Sequence, residues 1–417
     1  MVSLYAFCYQ LQLPLEPFLV DSLVGKGAGS TVTYGRLQSF FQVVQTVGSL
    51  AFGSLLDRYG VRVGLLVNFL ACALTYSVLA NTTSVAMLYL SKVPGVAVAG
   101  FLCAQTAVSQ LTPDGAERVA ALGRLTTAYT IGGVIGPYSG GLLGAKGDYF
   151  LSAKIAVVGS LVAAGLCLFL PGNVGRIEFR REEAAADAGR GRRAGWLQRA
   201  TAILGLVGPL ILAKLVTSTA NSMASSSQSL ILKNELMFTE ADLGFFMSCQ
   251  FAFGGFANGV LLAPVTRLMG GRARSVVSKC VAVMAAGYFF QAALRSSAVS
   301  FVELLPGPLQ TYLFVGMAMC LSVFQYSLST SITAENTRIV PKDMKGTLIG
   351  MEHGIFSAAR IMTPSIGITI LSTAGSGAVY ATCGCVFLAV FAGWAALPAR
   401  FLPPSSPQEK AAGKKRG

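Results

Sequence analysis

Ionisable side chains inside long apolar stretches are the residues of this sequence best suited to carry chemistry. A charged group in such a setting is costly, so it normally faces a water-filled cavity or an opposite charge. Carboxylates there can bind protons or cations, whereas ammonium and guanidinium groups can bind anions or neutralise carboxylates. The candidates of this kind are Glu16, Lys92, Lys214, Glu352, His353 and Arg360.

Three of these candidates each allow two interpretations. Glu16, in Pro14-Leu15-Glu16-Pro17, stands towards the end of the first apolar run. There it could bind a cation or a proton, or it could simply extend to the membrane interface. Lys92 and Lys214 stand inside the fourth and seventh apolar runs, where each could take part in ion coupling or serve as a structural ion-pair partner. Both alternatives stay open for all three side chains.

Another group of candidates lies in the eleventh apolar run. Seven helical residues turn by roughly 700°, so His353 and Arg360 share almost one face, and Glu352 lies about 100° away. His353 is the only histidine of the chain. Its ordinary pKa of about 6.5 suits proton exchange. The alternative is a histidine that only packs against its neighbours.

Amide and hydroxyl side chains recur in several apolar runs, which is typical of helices around a wet interior. Gln38 and Gln42 lie about one helical turn apart in the second run. Several helices that carry such residues together favour a central cavity, although scattered polar groups can also simply hydrogen-bond between helices. Further polar candidates are Asn221, Gln250 and Gln325, and Phe245, Phe246, Phe251 and Tyr326 could supply aromatic walls for a cation.

The composition places these residues in a membrane protein. The chain of 417 residues is 53% hydrophobic and 12% charged, with a mean hydropathy of +0.62. Soluble domains average about 25% charged residues. The net charge of +14 could indicate a nucleic-acid ligand, but the basic residues gather in short loops between apolar runs, as topology signals do. The nine cysteines show no metal-ligand spacing, and we interpret them as small packing residues.

Apolar runs of the length that crosses a bilayer, about 18 to 25 residues, recur twelve times along the chain. The sequence therefore predicts an all-α membrane protein with twelve transmembrane helices. The predicted spans are 1–21, 32–56, 63–80, 85–110, 122–143, 151–171, 207–231, 242–265, 276–294, 307–332, 347–371 and 377–397.

The spans divide into two groups of six around one long polar connection. Most of the 32 basic residues fall in loops on the same side as this connection and the C-terminal tail, and such a side faces the cytosol. Both termini are therefore predicted to be cytoplasmic. The predicted units are an N-terminal six-helix bundle over 1–171, a cytoplasmic linker over 172–200, a C-terminal six-helix bundle over 201–397 and a basic cytoplasmic tail over 398–417.

The stretch 122–143 is an apolar run with an unusual number of glycines. Each glycine in a soluble helix costs about 1 kcal/mol relative to alanine, but in lipid small residues four apart let two helix backbones approach closely. A weaker copy follows, since Gly123 precedes Pro137 by fourteen residues and Gly350 precedes Pro364 by fourteen. These spacings indicate a duplicated protein. The predicted helix-bend motif, in which the proline kinks the helix, is Gly132, Gly136, Pro137, Gly140 and Gly141.

A charged, glycine-containing turn joins the second and third spans. A carboxylate and guanidinium groups on such a turn can pair with one another and with helix ends. The turn resembles the loop signature of the major facilitator superfamily, except that Val61 replaces a second basic residue. The resemblance implies that Asp57 closes a gate against the start of the eleventh span near Gly346, and a purely topogenic basic loop is the alternative. The motif positions are Gly53, Asp57, Arg58, Gly60 and Arg62.

Other motifs extend this resemblance. The glycine–proline pattern in 122–143 is similar to the fifth-helix motif of drug:proton antiporters of the superfamily. Ser91-Lys92-Val93-Pro94-Gly95, Gln105 and Ala121-Leu122-Gly123-Arg124-Leu125 are similar to the fourth and fifth helices of organic cation transporter-like solute carriers, in which arginine usually replaces Lys92. The resemblance implies two pseudo-symmetric six-helix bundles, and it makes Gln105 a further site candidate.

These observations predict a secondary transporter that moves small organic solutes, cationic or amphiphilic, by alternating access in exchange for protons. One alternative is a facilitator or symporter of an anionic or neutral metabolite or lipid, attracted by Lys92, Lys214 and Arg360. Another is a non-transporting membrane scaffold or sensor. The sequence shows no phosphate loop, metal cluster or nucleophile arrangement. We therefore expect no enzyme activity, no metal or cofactor and no nucleic-acid partner, and a monomer in the lipid bilayer.

Overall fold

The computed structural model describes residues 1–112, 116–170, 192–270, 273–296, 306–340 and 345–396. Within these ranges the chain is helical, with short turns and no β-strand. The predicted tail, 398–417, and most of the predicted linker, 172–200, lie outside the described residues. The helix that follows the linker already begins at Arg192, and the limits of the predicted units stay predictions.

Two of the first six spans are broken helices. Prolines lie at both breaks, in Pro14-Leu15-Glu16-Pro17 of span 1 and at Pro94 of span 4. A proline lacks the backbone N–H that a continuous helix needs, so it favours a break at these positions. Span 1 consists of Val2–Gln10 and Glu16–Val24, and span 4 of Val85–Lys92, a 3₁₀ turn Val93–Ala97 and Gly100–Leu111. The other helices are Ala28–Ala80 (spans 2 and 3), Ala116–Gly144 (span 5) and Leu151–Cys167 (span 6).

The last six spans follow in the same order, and one of them, span 8, is interrupted by a π-helical turn. Span 8 begins at a capping box in which Thr239 Oγ1 accepts from the Asp242 backbone and the Asp242 carboxylate accepts from the Thr239 backbone. It runs through Glu240–Phe256, a π-helical turn Ala257–Leu261 and Leu262–Leu268. The other helices are Arg192–Asn234 (span 7), Ala273–Leu294 (span 9), Gly307–Ile339 (span 10) and Lys345–Ala396 (spans 11 and 12).

The outer surface of these helices is apolar. Leu70 and Leu74 of span 3 and Val158 and Val162 of span 6 are about half exposed, at 49%, 55%, 62% and 52%. Apolar surface of this extent is covered by lipid in a membrane protein. Seven helices of the described chain are each long and apolar enough to cross a bilayer, and one of them, Ile355–Ala396, continues through a reversal into a second span. The protein is thus an all-α, multi-pass membrane protein, and the helices given above supply a helical segment for each of the twelve predicted spans.

Glycines with positive φ mark matching turns in the two halves. Gly60 (φ 80°) lies between spans 2 and 3, and Gly270 (φ 105°) lies between spans 8 and 9. Gly147 (φ 84°) and Gly375 (φ 82°) lie between spans 5 and 6 and between spans 11 and 12. Residues with a Cβ rarely adopt these angles, so glycine is needed at each reversal. Equivalent turns at equivalent positions support the pseudo-symmetric repeat that 122–143 and its copy predicted.

The two ends of the molecule are named here for the residues that they hold. Met1 and Ala396 lie at one end, which we call the terminal end. Asn81 and Asn234 lie at the opposite end, which we call the far end. Odd-numbered spans run from the terminal end to the far end, and even-numbered spans run back.

Span 5 packs against span 1 through glycines on one face. A Cβ added to Gly136 would lie 2.8 Å from the carbonyl oxygen of Phe7, and a Cβ on Gly132 or Gly140 would overlap span 1 carbonyl oxygens. Glycines four apart place the helix backbones in direct contact, which is the packing that small residues allow in membranes. Gly132, Gly136 and Gly140 therefore hold the backbones of spans 1 and 5 in close contact.

Gly140→Ala should destabilise the protein, because the added methyl group would overlap the Leu11 carbonyl oxygen. Overpacking of this kind costs about 1–3 kcal/mol. Gly123→Ala is the matched control on the same helix, since its Cβ would have no neighbour within 4 Å. It should be neutral or stabilise by up to about 1 kcal/mol. Thermal unfolding of the detergent-solubilised proteins measures both, and equal melting temperatures would contradict the close packing.

Candidate functional site

The breaks in spans 1 and 4 place a buried carboxylate beside a lysine. Glu16 opens the helix Glu16–Val24 and Lys92 ends the helix Val85–Lys92, so each charge complements the partial charge of its helix end. Lys92 Nζ forms an ion pair with Glu16 Oε1, and Gln38 Nε2 of span 2 donates to Glu16 Oε2 at 2.6 Å. The Glu16 and Lys92 side chains are only 8% and 15% exposed. Three spans thus converge on one carboxylate, and we call Glu16, Gln38 and Lys92 the Glu16 cluster.

A second ion pair lies in the other bundle, nearer the terminal end. Lys214 Nζ of span 7 donates to Glu352 Oε2 of span 11 at 2.6 Å and to Thr333 Oγ1 of span 10 at 2.8 Å. Asn336 Nδ2 of span 10 donates to Glu352 Oε1 at 2.6 Å. These four residues, the Lys214 cluster, tie three spans of the second bundle together.

Four adjoining cavities extend from one bundle to the other. The first, of about 80 Å³, holds the Glu16 cluster and Gln42, and it shares Tyr9 with the second, of about 360 Å³. The third, of about 950 Å³, lies between spans 5 and 8 and shares Tyr129 with the second. The fourth, of about 200 Å³, lies inside the second bundle and shares Gln250 and Tyr326 with the third. A solute in the third cavity therefore adjoins polar groups of both bundles.

The fourth cavity is lined by uncharged polar side chains, and we call it the amide pocket. Within it the Tyr288 hydroxyl donates to Asn221 Oδ1 at 2.9 Å. Gln325 Oε1 and the Tyr380 hydroxyl are buried, and neither has a hydrogen-bond partner among the described residues. The amide side chains that line it are Asn221, Gln228, Gln250, Gln291 and Gln325.

Polar contacts between the bundles close the far end. Lys233 of span 7 forms an ion pair with Asp21 of span 1 and donates to the Pro17 carbonyl oxygen at 2.6 Å. Tyr149, in the loop before span 6, donates to Glu240 Oε1 at the start of span 8 at 2.8 Å. Burial, together with this hydrogen bond to a carboxylate, raises the pKa of Tyr149 to about 12. The phenol therefore stays protonated, and stays a donor, at neutral pH.

Spans 5 and 8 touch near the far end and separate towards the terminal end. A Cβ on Gly141 would overlap the Glu240 carbonyl oxygen, and a Cβ on Gly244 would overlap the Pro137 carbonyl oxygen. Gly123, nearer the terminal end, has no such neighbour and lines the third cavity. The gap between spans 5 and 8 therefore widens towards the terminal end and closes towards the far end.

Comparison with known families agrees with this architecture. The sequence profile of the Major Facilitator Superfamily matches residues 1–209, about half of the chain. The chain belongs to the Major Facilitator Superfamily. The resemblance that the motifs indicated is therefore confirmed. As a superfamily member the protein is a membrane transporter of solutes and not an enzyme, and its spans form two pseudo-symmetric six-helix bundles.

Individual relatives within the superfamily are distant in sequence. The chain is 26% identical over 376 residues to Solute carrier family 22 member 18 of Mus musculus. The aligned region covers 88% of this chain and 86% of that protein. It is 31% identical over 179 residues to the class H Tetracycline resistance protein of Pasteurella multocida, covering 42% of this chain and 43% of that one. The solved structure of a D-xylose-proton symporter matches with a TM-score of 0.70 at 12% identity, over 95% of this chain and 96% of that one.

The structure of this superfamily member brings together seven of the residues predicted for the site. Four of them surround the first cavity and three line the amide pocket, so the polar stripes of separate spans meet around one set of cavities. Lys214 instead belongs to the Lys214 cluster, beside Glu352. The residues brought together are Glu16, Gln38, Gln42, Lys92, Asn221, Gln250 and Gln325.

Three other predicted residues have different surroundings. Gln105 is exposed on the helix Gly100–Leu111 and lies outside the four cavities. Arg360 is exposed on span 11. It has no ion-pair partner within the ranges that the structure describes. The side chain of His353 lies outside the described residues, so its role stays a prediction.

The predicted gating turn of the superfamily is described in part. Gly60 provides the reversal, and Arg62 Nη2 donates to the Leu168 carbonyl oxygen at the end of span 6 at 2.7 Å. This hydrogen bond ties the turn to its own bundle at the terminal end. The side chains of Asp57 and Arg58, and the details of Gly53 and Gly346, lie outside the described residues, so the gate itself stays a prediction.

Sequence reasoning missed the residues that connect and close these cavities. Tyr9 and Tyr129 stand in apolar runs, where nothing in their spacing separates them from aromatic residues that face lipid. Asp21 and Lys233 stand at the ends of spans 1 and 7, where they resemble ordinary loop charges. One signal could have identified this pair. Asp21 and Lys233 carry opposite charges at equivalent ends of spans 1 and 7, and the pseudo-symmetry places these two spans next to each other.

Lys214→Met should destabilise the transporter by about 3–5 kcal/mol, because it leaves the Glu352 carboxylate buried without a counter-charge. The double variant Lys214→Met/Glu352→Gln removes both charges and should recover much of that loss. Thermal unfolding in detergent measures the three proteins, with Lys279→Met, which removes an exposed lysine, as the control. A double variant that is no more stable than Lys214→Met would contradict the ion pair.

Proposed function

We propose that this protein is a secondary transporter that exchanges a small amphiphilic organic cation for protons by alternating access. The observation that supports this most directly is the Glu16 cluster, a buried carboxylate beside the solute cavities. A carboxylate in such a position is stable only with a positive charge beside it. Three species can supply that charge, namely the Lys92 ammonium, a proton and a cationic solute.

Competition for Glu16 provides the coupling. In the structure Lys92 neutralises the carboxylate, while Gln38 holds its second oxygen. Either a proton on the carboxylate or a solute ammonium beside it takes over this neutralising role and releases Lys92. Because one carboxylate balances one positive charge, proton and solute weaken each other's binding, and this reciprocal coupling is the requirement for antiport.

An aromatic ring beside the cluster suits a cationic solute. The Lys92 ammonium lies over the Phe41 ring, 5.3 Å from its centroid. A solute ammonium that replaces Lys92 meets the same ring face and gains the same cation–π attraction. The similarity to a Tetracycline resistance protein supports a drug-like organic solute, and the similarity to Solute carrier family 22 member 18 supports a solute carrier.

Alternating access requires the far end to open as the terminal end closes. Among the described polar contacts between the bundles, those of Lys233 with Asp21, of Tyr149 with Glu240 and of Ser39 with Ser365 must break. The glycine contact between spans 5 and 8 then serves as the pivot, because backbones without side chains between them can rock without a steric barrier. With both termini in the cytosol, as the basic loops favour, this structure is the state open to the cytosol.

Glu16→Gln should uncouple the transporter, because an amide cannot take up a proton. Ethidium serves as the cation in proteoliposomes, and a trapped pH dye reports the proton flux. Both the proton-driven uptake of ethidium and the ethidium-driven proton flux should fall by about tenfold or more, as expected when about 1.4 kcal/mol or more of interaction is lost. Glu117→Gln, at an exposed carboxylate of span 5, is the matched control and should transport normally. Undiminished ethidium-driven proton flux in Glu16→Gln would overturn the proposed coupling.

A second function, transport of an organic anion, is favoured by Arg360. Its side chain is exposed on span 11 and has no ion-pair partner in the described part of the chain. Lys92 and Lys214, in contrast, are each neutralised by a glutamate. A free guanidinium binds a carboxylate through two parallel hydrogen bonds. In this alternative, Arg360 binds the anion and the Glu16 cluster takes up a proton that moves with it.

Arg360→Gln separates the two functions. If Arg360 is the anion ligand, uptake of a carboxylated fluorescent dye should fall by about tenfold or more, since a charge-assisted bidentate pair is lost. Uptake of ethidium in the same vesicles should be unchanged or faster, because a repelling charge is gone. Arg267→Gln, at an exposed arginine at the end of span 8, is the control. A loss of ethidium uptake in Arg360→Gln, with Arg267→Gln unaffected, would contradict both assignments.

A further inference from the structure

The amide pocket differs from the other cavities in its chemistry. It holds about 200 Å³ inside the second bundle, and none of the described residues that line it carries a charge. At about 30 Å³ for each molecule of liquid water, this is the volume of roughly seven water molecules, or of one small organic group. It opens past Gln250 and Tyr326 into the third cavity, where the solute is expected. The pocket is therefore polar, uncharged and accessible to part of a bound solute.

Two polar atoms of the pocket lack a partner in the described protein. Gln325 Oε1 and the Tyr380 hydroxyl are buried without a hydrogen bond. Their neighbours are paired, since the Tyr288 hydroxyl donates to Asn221 Oδ1 and Gln291 Nε2 donates to the Phe314 carbonyl oxygen at 3.3 Å. A buried polar atom normally has a partner, so an unpaired acceptor beside a cavity indicates a donor that comes from outside the protein. The amide network thus leaves one acceptor and one hydroxyl of the pocket wall buried without a hydrogen-bond partner among the described residues.

We propose that the amide pocket binds an uncharged hydrogen-bonding group of the transported solute, a hydroxyl or a primary amide. Gln325 Oε1 accepts a hydrogen bond from this group, and the Tyr380 hydroxyl donates to it or accepts from it. A charged group is rejected, because nothing in the pocket balances the charge and its desolvation would be uncompensated. The pocket therefore selects solutes by a neutral polar group.

Combined with the Glu16 cluster, this pocket defines a class of solute. This step rests on the proposed cation transport, which assigns the positive end of the solute to the first bundle. The third cavity between the two sites has apolar lining from Ile131, Val134 and Phe251. The solute is then an elongated amphiphile with an ammonium at one end, an apolar middle and a hydroxyl or amide at the other end. Because it contacts both bundles, it stabilises states in which they close around it.

The test uses trimethylammonium ions that carry an ω-hydroxyalkyl chain of increasing length. Each is compared with the n-alkyl analogue that has a methyl group in place of the hydroxyl. Competition with ethidium uptake in proteoliposomes and thermal stabilisation of the purified full-length protein are both measured. At the chain lengths that span the cavities, the hydroxyl compound should bind about fivefold to thirtyfold better, the effect of one buried hydrogen bond.

Two pocket variants and one control assign this preference to the pocket. Gln325→Met should remove the preference for the hydroxyl compound, and Tyr380→Phe should reduce it. If Gln325→Met does not fold, Tyr380→Phe alone provides the test. Gln310→Met, on the same helix but outside the pocket, should keep the preference. A hydroxyl preference that survives both pocket variants, or that is absent at every chain length, would overturn the proposed pocket.

The two readouts separate this proposal from the proposed function. If the ions stabilise the protein with a hydroxyl preference that depends on Gln325, but none is transported, the pocket stands and cation exchange fails. If the ions are transported without that preference, cation exchange stands and the pocket proposal fails. If they are neither transported nor stabilising, both proposals fail.

Discussion

A fully buried charge in a membrane protein needs an opposite charge beside it, and this constraint determines how spans 1 and 4 meet. Glu16 and Lys92 satisfy it by meeting at two helix breaks, where each also complements a helix end. To separate such a pair without a replacement costs about 3–5 kcal/mol. Release of Lys92 from Glu16 therefore requires another cation at Glu16, and the proposed coupling of proton and solute rests on this requirement.

The three ion pairs that involve lysines of the described spans differ in role because they differ in place. The Glu16 cluster lies within the first bundle and lines a cavity, which is the reason that the proposed exchange of partners is assigned to it. The Lys214 cluster lies within the second bundle and borders none of the four cavities, so it holds spans 7, 10 and 11 together. The pair of Lys233 with Asp21 crosses between bundles, and it therefore stabilises one state of the transport cycle over the other.

The features that the sequence could predict are those encoded locally. Span positions follow from apolar runs, and the close packing of Gly136 follows from glycine spacing within one helix. The pairing of Glu16 with Lys92 was not predictable, although both residues were candidates. The partners stand 76 positions apart, and which faces of spans 1 and 4 meet depends on the packing of the whole bundle. The same holds for Tyr9 and Tyr129, whose cavity positions are set by tertiary contacts.

The presence of lysine at position 92 bears on how easily another cation could replace it beside Glu16. Arginine, usual at this position in similar solute carriers, would bind both oxygens of a carboxylate through its planar fork. Lysine presents a single ammonium, so Lys92 pairs with Oε1 of Glu16 while Gln38 occupies Oε2. Because Lys92 contacts only one oxygen of Glu16, its displacement breaks one interaction, and the hydrogen bond from Gln38 to the other oxygen can stay in place. The monodentate geometry of Lys92 therefore favours a carboxylate that changes partners over one that is held permanently.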